Sequence, residues 1–197
     1  QKLGLQSVVR MGYQASKGNL EFVSDLSKSN IAWYAVDEGA GLFGGLERNY
    51  WTCKATNPTV PVIVNLNQFS RINEASQYSD ILMLNIYSSG RVVYDITSQA
   101  VKLRPTWVTI PQYANIQYSR DKMLNLTAQA VVAGASGVWF FEWDHRTKSN
   151  LSDWYTPNSP EKVENLRACL KWLKDMPLDW SPIPTVNPNI AAAKRGV

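Results

Sequence analysis

The chain has 197 residues, of which 45% are hydrophobic and 18% are charged, and its formal net charge is +4. This is the composition of an ordinary globular protein and excludes an intrinsically disordered chain. No run of Lys and Arg forms a basic stripe, and no apolar stretch approaches the ~18 residues that cross a bilayer, so we expect neither a nucleic-acid partner nor a membrane span.

Short apolar runs alternate with helix-like stretches along the chain. The runs are rich in β-branched and aromatic residues and cover residues 7–13, 31–37, 61–67, 80–87, 106–113 and 137–144. They show little polar–apolar alternation, as is typical of parallel strands covered by helices. Repeated strand–helix units of this kind predict an α/β fold with a parallel sheet.

Residues suited to helix ends lie between these runs. One helix is predicted to begin at Asn19, and a second stops before Pro58. Ser119 is a suitable N-cap for a third helix, and Gly134 lies near the end of that helix.

The last helix precedes the predicted domain boundary. Its pattern covers residues 159–176, and its buried apolar stripe is predicted to consist of Val163, Leu166, Leu170 and Leu173. Prolines recur in the tail that follows. We therefore divide the chain into a partial barrel domain over residues 1–178 and a Pro-rich strap or linker over residues 179–197.

Six strand–helix units could form an open doubly wound sheet or most of a (β/α)8 barrel, and a flavodoxin-like sheet that binds a phosphorylated ligand is a weaker alternative. No Gly-rich phosphate loop follows the first strand, which argues against a dinucleotide fold. In barrels, functional groups gather at the carboxyl ends of the strands. Here those ends carry carboxylates, amides and aromatic rings, which are the groups of a sugar site: Asp37, Glu38, Asn65, Asn85, Tyr87, Gln112, Tyr113, Glu142, Trp143 and Asp144.

Five segments, taken in order, resemble (β/α)8 glycoside hydrolases of the β-galactosidase-like superfamily. "IAWYAVDEG" resembles the fourth strand of those barrels, and "NPTVPVIVNLN" the passage into the fifth. "SDILMLNIYSS", "RPTWVTIPQYAN" and "VVAGASGVWFFEWD" are similar to the sixth, seventh and eighth. The resemblance implies a TIM (β/α)8 barrel of which this chain supplies strands three to eight. Because a barrel lacking two strands exposes unpaired strand edges, we expect a missing segment or another polypeptide to complete it.

The resemblance also implies a glycoside hydrolase that acts on a polysaccharide or glycoconjugate, with Glu38 as general acid/base. Retaining members carry a nucleophilic Glu at the end of the seventh strand, where this chain has Gln112. Glu142 could serve as the second carboxylate. In a substrate-assisted reaction, Asp37 would instead orient an acetamido group of the substrate. The alternative function is a catalytically inactive barrel that serves as a carbohydrate-binding or structural module.

The remaining expectations concern ligand binding, cofactors and location. Substrate contacts are expected from Asn65, Asn85, Tyr87, Gln112, Tyr113 and Trp143, whereas Trp139 is expected in the core. No cofactor is expected, and no Cys/His cluster indicates a metal site. Cys53 and Cys169 are predicted not to pair with each other. The sequons at Asn125 and Asn150 favour a secreted, glycosylated protein.

Overall fold

The computed structural model describes residues 7–10, 30–36, 45–111, 118–141 and 160–176. Within these ranges the strands are β1 (Ser7–Arg10), β2 (Asn30–Val36), β3 (Val62–Leu66), β4 (Ile81–Asn85), β5 (Thr106–Pro111) and β6 (Gly137–Phe141). The helices are α1 (Leu46–Thr56), α2 (Ile72–Gln77), α3 (Gly90–Ala100), α4 (Arg120–Val132) and α5 (Pro160–Asp175), and a short 3-10 helix (Phe69–Arg71) precedes α2. The six predicted strands are confirmed. The helix predicted from Asn19 and the tail over residues 179–197 lie outside the described residues.

The strands form one parallel sheet in the order β1-β2-β3-β4-β5-β6. Each strand pairs with the next one along the chain. A doubly wound sheet instead reverses its strand order at a switch point. The doubly wound and flavodoxin-like alternatives are therefore wrong for this sheet, and the sequential order is that of a barrel.

The helices pack on one face of the sheet. Strand residues on this face join one hydrophobic core with helix residues such as Leu46, Val93 and Met123. The strand contributors are Val64, Leu66, Leu82, Leu84, Val108 and Ile110. Because successive strand residues point to opposite faces, the residues between them face away from the helices. We call this second side the inner face.

Both predicted ends of α4 are confirmed. The Ser119 side chain accepts a hydrogen bond from the Lys122 backbone N–H at 3.3 Å. At the other end, Gly134 has φ +95°, a conformation that favours glycine. The Gly134 N–H donates to the Val131 carbonyl and the Ala135 N–H donates to the Ala130 carbonyl, at 2.9 and 3.0 Å. These two bonds form a Schellman motif.

The predicted apolar stripe is not the most buried side of α5, since Val163, Leu166 and Leu173 are only partly buried. Leu170 is 50% exposed, whereas Asn165 and Cys169 are buried at 5% and 0%. The Asn165 amide donates to the Tyr118 carbonyl at 3.2 Å, which ties α5 to the segment before α4. This polar contact and the Cys169 thiol mark the side of α5 that is turned inward, so the buried side does not pass through Leu170.

A buried polar cluster joins α1 to the amino ends of β3 and β4. The Asp80 carboxylate forms an ion pair with Lys54, and their side chains are 1% and 9% exposed. Asp80 also accepts hydrogen bonds from the Tyr50 hydroxyl at 3.1 Å and from the Val62 N–H at 2.8 Å. The cluster lies at the amino-terminal end of the strands, the end that contributes to stability rather than to catalysis in barrels.

Arg104 adds a second buried cation at the same end, just before β5. Its Nε donates to the carbonyls of Ser76 and Ser79, at 2.9 and 3.2 Å. Burial lowers the pKa of Arg104, against the opposite effect of Asp80. The arginine therefore links the loop before β4 to the start of β5.

Both cysteines are free and buried, in agreement with the prediction that they do not pair with each other. Burial raises the pKa of Cys53 to about 12, and burial also raises the pKa of Cys169. Because the thiolate is the nucleophile, we expect iodoacetamide to leave Cys53 unmodified in the native protein at pH 8 and to alkylate it in denaturant, as mass spectrometry would show. Native alkylation at the rate of a free thiol would contradict this.

The same shift sets a pH dependence. Between about pH 9 and pH 12 the unfolded Cys53 thiol ionises while the folded one does not. The unfolded state then binds fewer protons, so the contribution of Cys53 to stability falls as the pH rises through this window.

Candidate functional site

Three of the predicted site residues lie in the described part of the chain. These are Asn65 at the end of β3, Asn85 at the end of β4 and Tyr87 two residues later. The other predicted residues lie outside it: Asp37, Glu38, Gln112, Tyr113, Glu142 and Trp143. In sequence they directly follow the carboxyl ends of β2, β5 and β6, and the carboxyl ends of parallel strands meet at the same edge of the sheet.

Strand pairing arranges the middle of the inner face in two rows. Cα partners across β3, β4, β5 and β6 define a lower row of Asn65, Met83, Trp107 and Gly137. Two residues further along the strands, they define an upper row of Asn85, Thr109 and Trp139. The upper row is nearer the carboxyl end of the sheet, where barrel enzymes bind their ligands.

The upper row combines buried polar groups with an accessible ring. Asn85 and Thr109 are only 7% and 2% exposed. Neither Asn85 Oδ1 nor Thr109 Oγ1 has a hydrogen-bond partner among the described residues. Trp139 is 37% exposed and Tyr87 is 40% exposed. Buried polar groups and accessible aromatic rings are the kinds of group that line small-molecule sites.

Two of these positions differ from the sequence predictions. Trp139 was expected in the core, but it lies on the inner face and is partly exposed, so that expectation is wrong. Thr109 was not among the predicted site residues. The signal for it was the two-residue alternation in "TWVTIP", which places Trp107 and Thr109 on one face and Val108 and Ile110 on the other.

The residues of both rows are uncharged. The ionisable Lys54, Asp80 and Arg104 lie at the opposite end of the strands. Within the described ranges, no group of three or more His, Cys, Asp or Glu residues could hold a metal ion. None of the helices in those ranges is long and apolar enough to cross a membrane.

The sequon at Asn125 lies on α4. Asn125 itself is exposed, but its amide nitrogen faces the start of α3, where it would lie 2.9 Å from a Cβ placed on Gly90. Asn150 lies outside the described residues. Glycosylation at either position stays a prediction.

No protein-family model matches the chain, and no curated protein matches its sequence. Solved structures do match its fold. A β-D-glucuronidase of Dictyoglomus thermophilum has a TM-score of 0.59 at 13% identity, over 86% of this chain and 36% of that one. A GH2 β-galacturonidase of Eisenbergiella tayi has a TM-score of 0.58 at 14% identity, over 81% of this chain and 37% of that one.

A further match is a truncated form of 3-deoxy-D-arabino-heptulosonate 7-phosphate synthase from Thermotoga maritima, with a TM-score of 0.57 at 14% identity, over 84% of this chain and 61% of that one. The chain thus spans between 36% and 61% of the length of these three proteins. At such low identity the likeness concerns the fold alone. The chain has a TIM-barrel-like α/β fold.

Proposed function

We propose that this protein binds a carbohydrate at the carboxyl end of the sheet, on the inner face. The observation that carries the proposal is the upper row, where Asn85 Oδ1 and Thr109 Oγ1 are buried without hydrogen-bond partners among the described residues. Leaving such atoms unsatisfied costs about 1–3 kcal/mol each, and hydroxyl groups of a ligand would remove that cost. The accessible rings of Trp139 and Tyr87 would pack against the sugar.

We further propose that the reaction is hydrolysis of a glycosidic bond. Glu38 would protonate the leaving oxygen, and Glu142 would attack the anomeric carbon or activate water. If the substrate supplies its own acetamido nucleophile, Asp37 would orient that group and no second carboxylate would be needed. Gln112, Tyr113 and Trp143 would complete the substrate contacts around Asn65 and the upper row.

Aryl glycosides test this reaction. We expect the protein to release p-nitrophenolate from at least one of four p-nitrophenyl probes: the β-galactoside, β-glucuronide, α-fucoside and N-acetyl-β-glucosaminide. Loss of an acid/base group costs about 10²–10⁴-fold in rate, so Glu38→Gln should lower kcat/KM by at least 10²-fold on the corresponding phenyl glycosides, whose leaving group needs protonation more than p-nitrophenolate does. Glu142→Gln should do the same on all but the N-acetyl probe.

Glu164→Gln is the matched control. Glu164 lies on the outer side of α5 with its side chain 66% exposed, and it pairs only locally with Arg167 in an i,i+3 ion pair. The same charge is removed there without touching the proposed site, so activity should stay unchanged. Full activity of Glu38→Gln would contradict its assignment as acid/base.

A second candidate is an inactive barrel that binds carbohydrate or serves as a structural module. Gln112 favours it, because retaining enzymes of the family that the chain resembles carry Glu at that place. Binding of a glycoside by calorimetry without turnover of any aryl probe would support this candidate and remove hydrolysis.

We also propose that the barrel is completed by strands other than the six described. Within the described chain, β1 and β6 each pair with one neighbour and form the two edges of the sheet. A further segment or a partner polypeptide would supply the strands that pair with these edges, which would protect them from aggregation. A secreted location would accompany the proposed glycosylation.

A further inference from the structure

Trp107 lies in the lower row, directly before Thr109 on the inner face. The residue is 8% exposed, and its indole Nε1 has no hydrogen-bond partner among the described residues. A polar atom buried in this way is rare in folded proteins and calls for an explanation. Trp107 carries no charge and was not among the residues predicted for the site.

Gly137 holds the indole in place. A Cβ on Gly137 would lie 2.6, 2.7 and 2.9 Å from the Cδ1, Nε1 and Cγ atoms of Trp107. No ordinary side chain fits in that space, so the five-membered ring of the indole lies directly against the backbone of β6. The ring therefore fills the lower row between Met83 and Gly137, beneath the polar atoms of the upper row.

The three inner-face atoms without partners differ in whether they donate or accept hydrogen bonds. An indole N–H can only donate, an amide oxygen can only accept, and a threonine hydroxyl can do both. Trp107 Nε1, Asn85 Oδ1 and Thr109 Oγ1, which belong to adjacent rows of neighbouring strands, thus require a ligand that both donates and accepts. Adjacent hydroxyl groups of a pyranose meet this requirement. A carboxylate offers no donor and would leave Asn85 Oδ1 unsatisfied.

We propose that Trp107 is a ligand-binding residue, that its Nε1–H donates to a hydroxyl oxygen of a neutral pyranoside, and that Gly137 positions it for this contact. The proposal rests on the carbohydrate-binding function above and adds the part of the sugar that is recognised, a neutral vicinal diol. A uronic acid would bind with its carboxylate directed away from Trp107, Asn85 and Thr109.

The indole resonance of Trp107 in a two-dimensional ¹H–¹⁵N spectrum reports the contact directly. The 197-residue chain is titrated with methyl β-galactopyranoside, methyl β-glucopyranoside and methyl α-fucopyranoside, and with methyl β-galactopyranosiduronate as the charged counterpart. We expect the Trp107 Nε1–H resonance to shift on saturation with at least one neutral pyranoside. Trp107→Phe, which removes the donor and keeps a ring, should weaken that binding about tenfold.

Trp51→Phe is the matched control, because Trp51 lies on α1 in edge-to-face contact with Tyr50, away from the inner face. It should leave the affinity unchanged. The resonance is measured on the wild-type chain, so the test does not depend on the stability of Trp107→Phe.

Two contrary results are distinguishable. If a pyranoside binds and shifts other indole resonances while that of Trp107 stays fixed and Trp107→Phe retains full affinity, Trp107 is no ligand-binding residue and the proposed function stands. If the uronate binds at least as tightly and shifts Trp107 equally, the preference for a neutral diol is wrong. If none of the sugars binds, the proposed function fails and this proposal fails with it.

Discussion

Replacing Asp80 with alanine is expected to lower the free energy of unfolding by about 3–5 kcal/mol, because it removes the carboxylate from a buried ion pair with Lys54. Lys54 would lose Asp80 and keep its contacts with the backbone carbonyls of Val60 at 3.0 Å and Pro58 at 3.4 Å. The Tyr50 hydroxyl and the Val62 N–H would also lose their acceptor. Because Tyr50, Val62 and Lys54 are nearly fully buried, water has little access to take the place of the lost carboxylate.

Urea denaturation followed by circular dichroism measures this loss. Asp95→Ala provides the control, since Asp95 forms an i,i+4 pair with Arg91 in which the two side chains are 47% and 83% exposed. Exposed pairs of this kind contribute about 0.3–0.5 kcal/mol. A loss below about 1 kcal/mol for Asp80→Ala would mean that Lys54 finds another partner or reaches solvent.

Replacing Asp80 with the neutral asparagine separates the loss of the charge from the loss of the hydrogen-bond acceptor. In Asp80→Asn the side chain keeps an oxygen that can accept from Tyr50 or Val62, but the charge opposite Lys54 is gone. We expect this variant to be more stable than Asp80→Ala and less stable than the wild type. Adding Lys54→Met to Asp80→Asn removes the buried ammonium that has lost Asp80 and should recover part of the loss, because the penalty of a broken buried pair resides largely in the remaining charge.

The strands could be predicted from the sequence because their signal is local. Runs such as "VIVNL" and "ILMLN" are β-branched or aliphatic almost throughout, and every residue in them is buried. The ends of α4 could also be predicted from local sequence, because Ser119 is suited to an N-cap and Gly134 to a left-handed turn. The carboxyl-end position of Asn65 and Asn85 followed directly from those strand boundaries.

Other features depend on which side of each element the rest of the chain covers. Leu170 belongs to an apolar stripe in the sequence, yet α5 turns Cys169 inward, because neighbouring helices decide which stripe is buried. Trp139 is expected in the core from its place inside a strand. Whether a strand tryptophan is buried depends, however, on what covers its face of the sheet. The choice between a doubly wound and a sequential sheet likewise depends on long-range strand order, which no local pattern contains.

Replacing Gly137 with alanine is expected to lower the free energy of unfolding by about 1–3 kcal/mol, although a glycine inside a strand usually gains stability from a side chain. The reason is the indole of Trp107, three of whose ring atoms would lie within 2.9 Å of the new Cβ. A rigid ring between two strands cannot move away as the end of a flexible side chain can. The loss should therefore come almost entirely from this one contact.

A double-mutant cycle tests that attribution. In a Trp107→Leu background the smaller side chain leaves room, so Gly137→Ala should cost little, with a coupling energy within the 0.5–3 kcal/mol found for residues in contact. Gly90→Ala is the control: its Cβ would meet Asn125 Nδ2 at 2.9 Å and Gln129 Cγ at 3.0 Å, which belong to flexible side chains. We expect a smaller loss there than at Gly137, because these atoms can shift away from the new Cβ. Equal costs of Gly137→Ala in both backgrounds would mean that the indole does not lie against β6, and the lower row could not then present Trp107 Nε1 to a ligand.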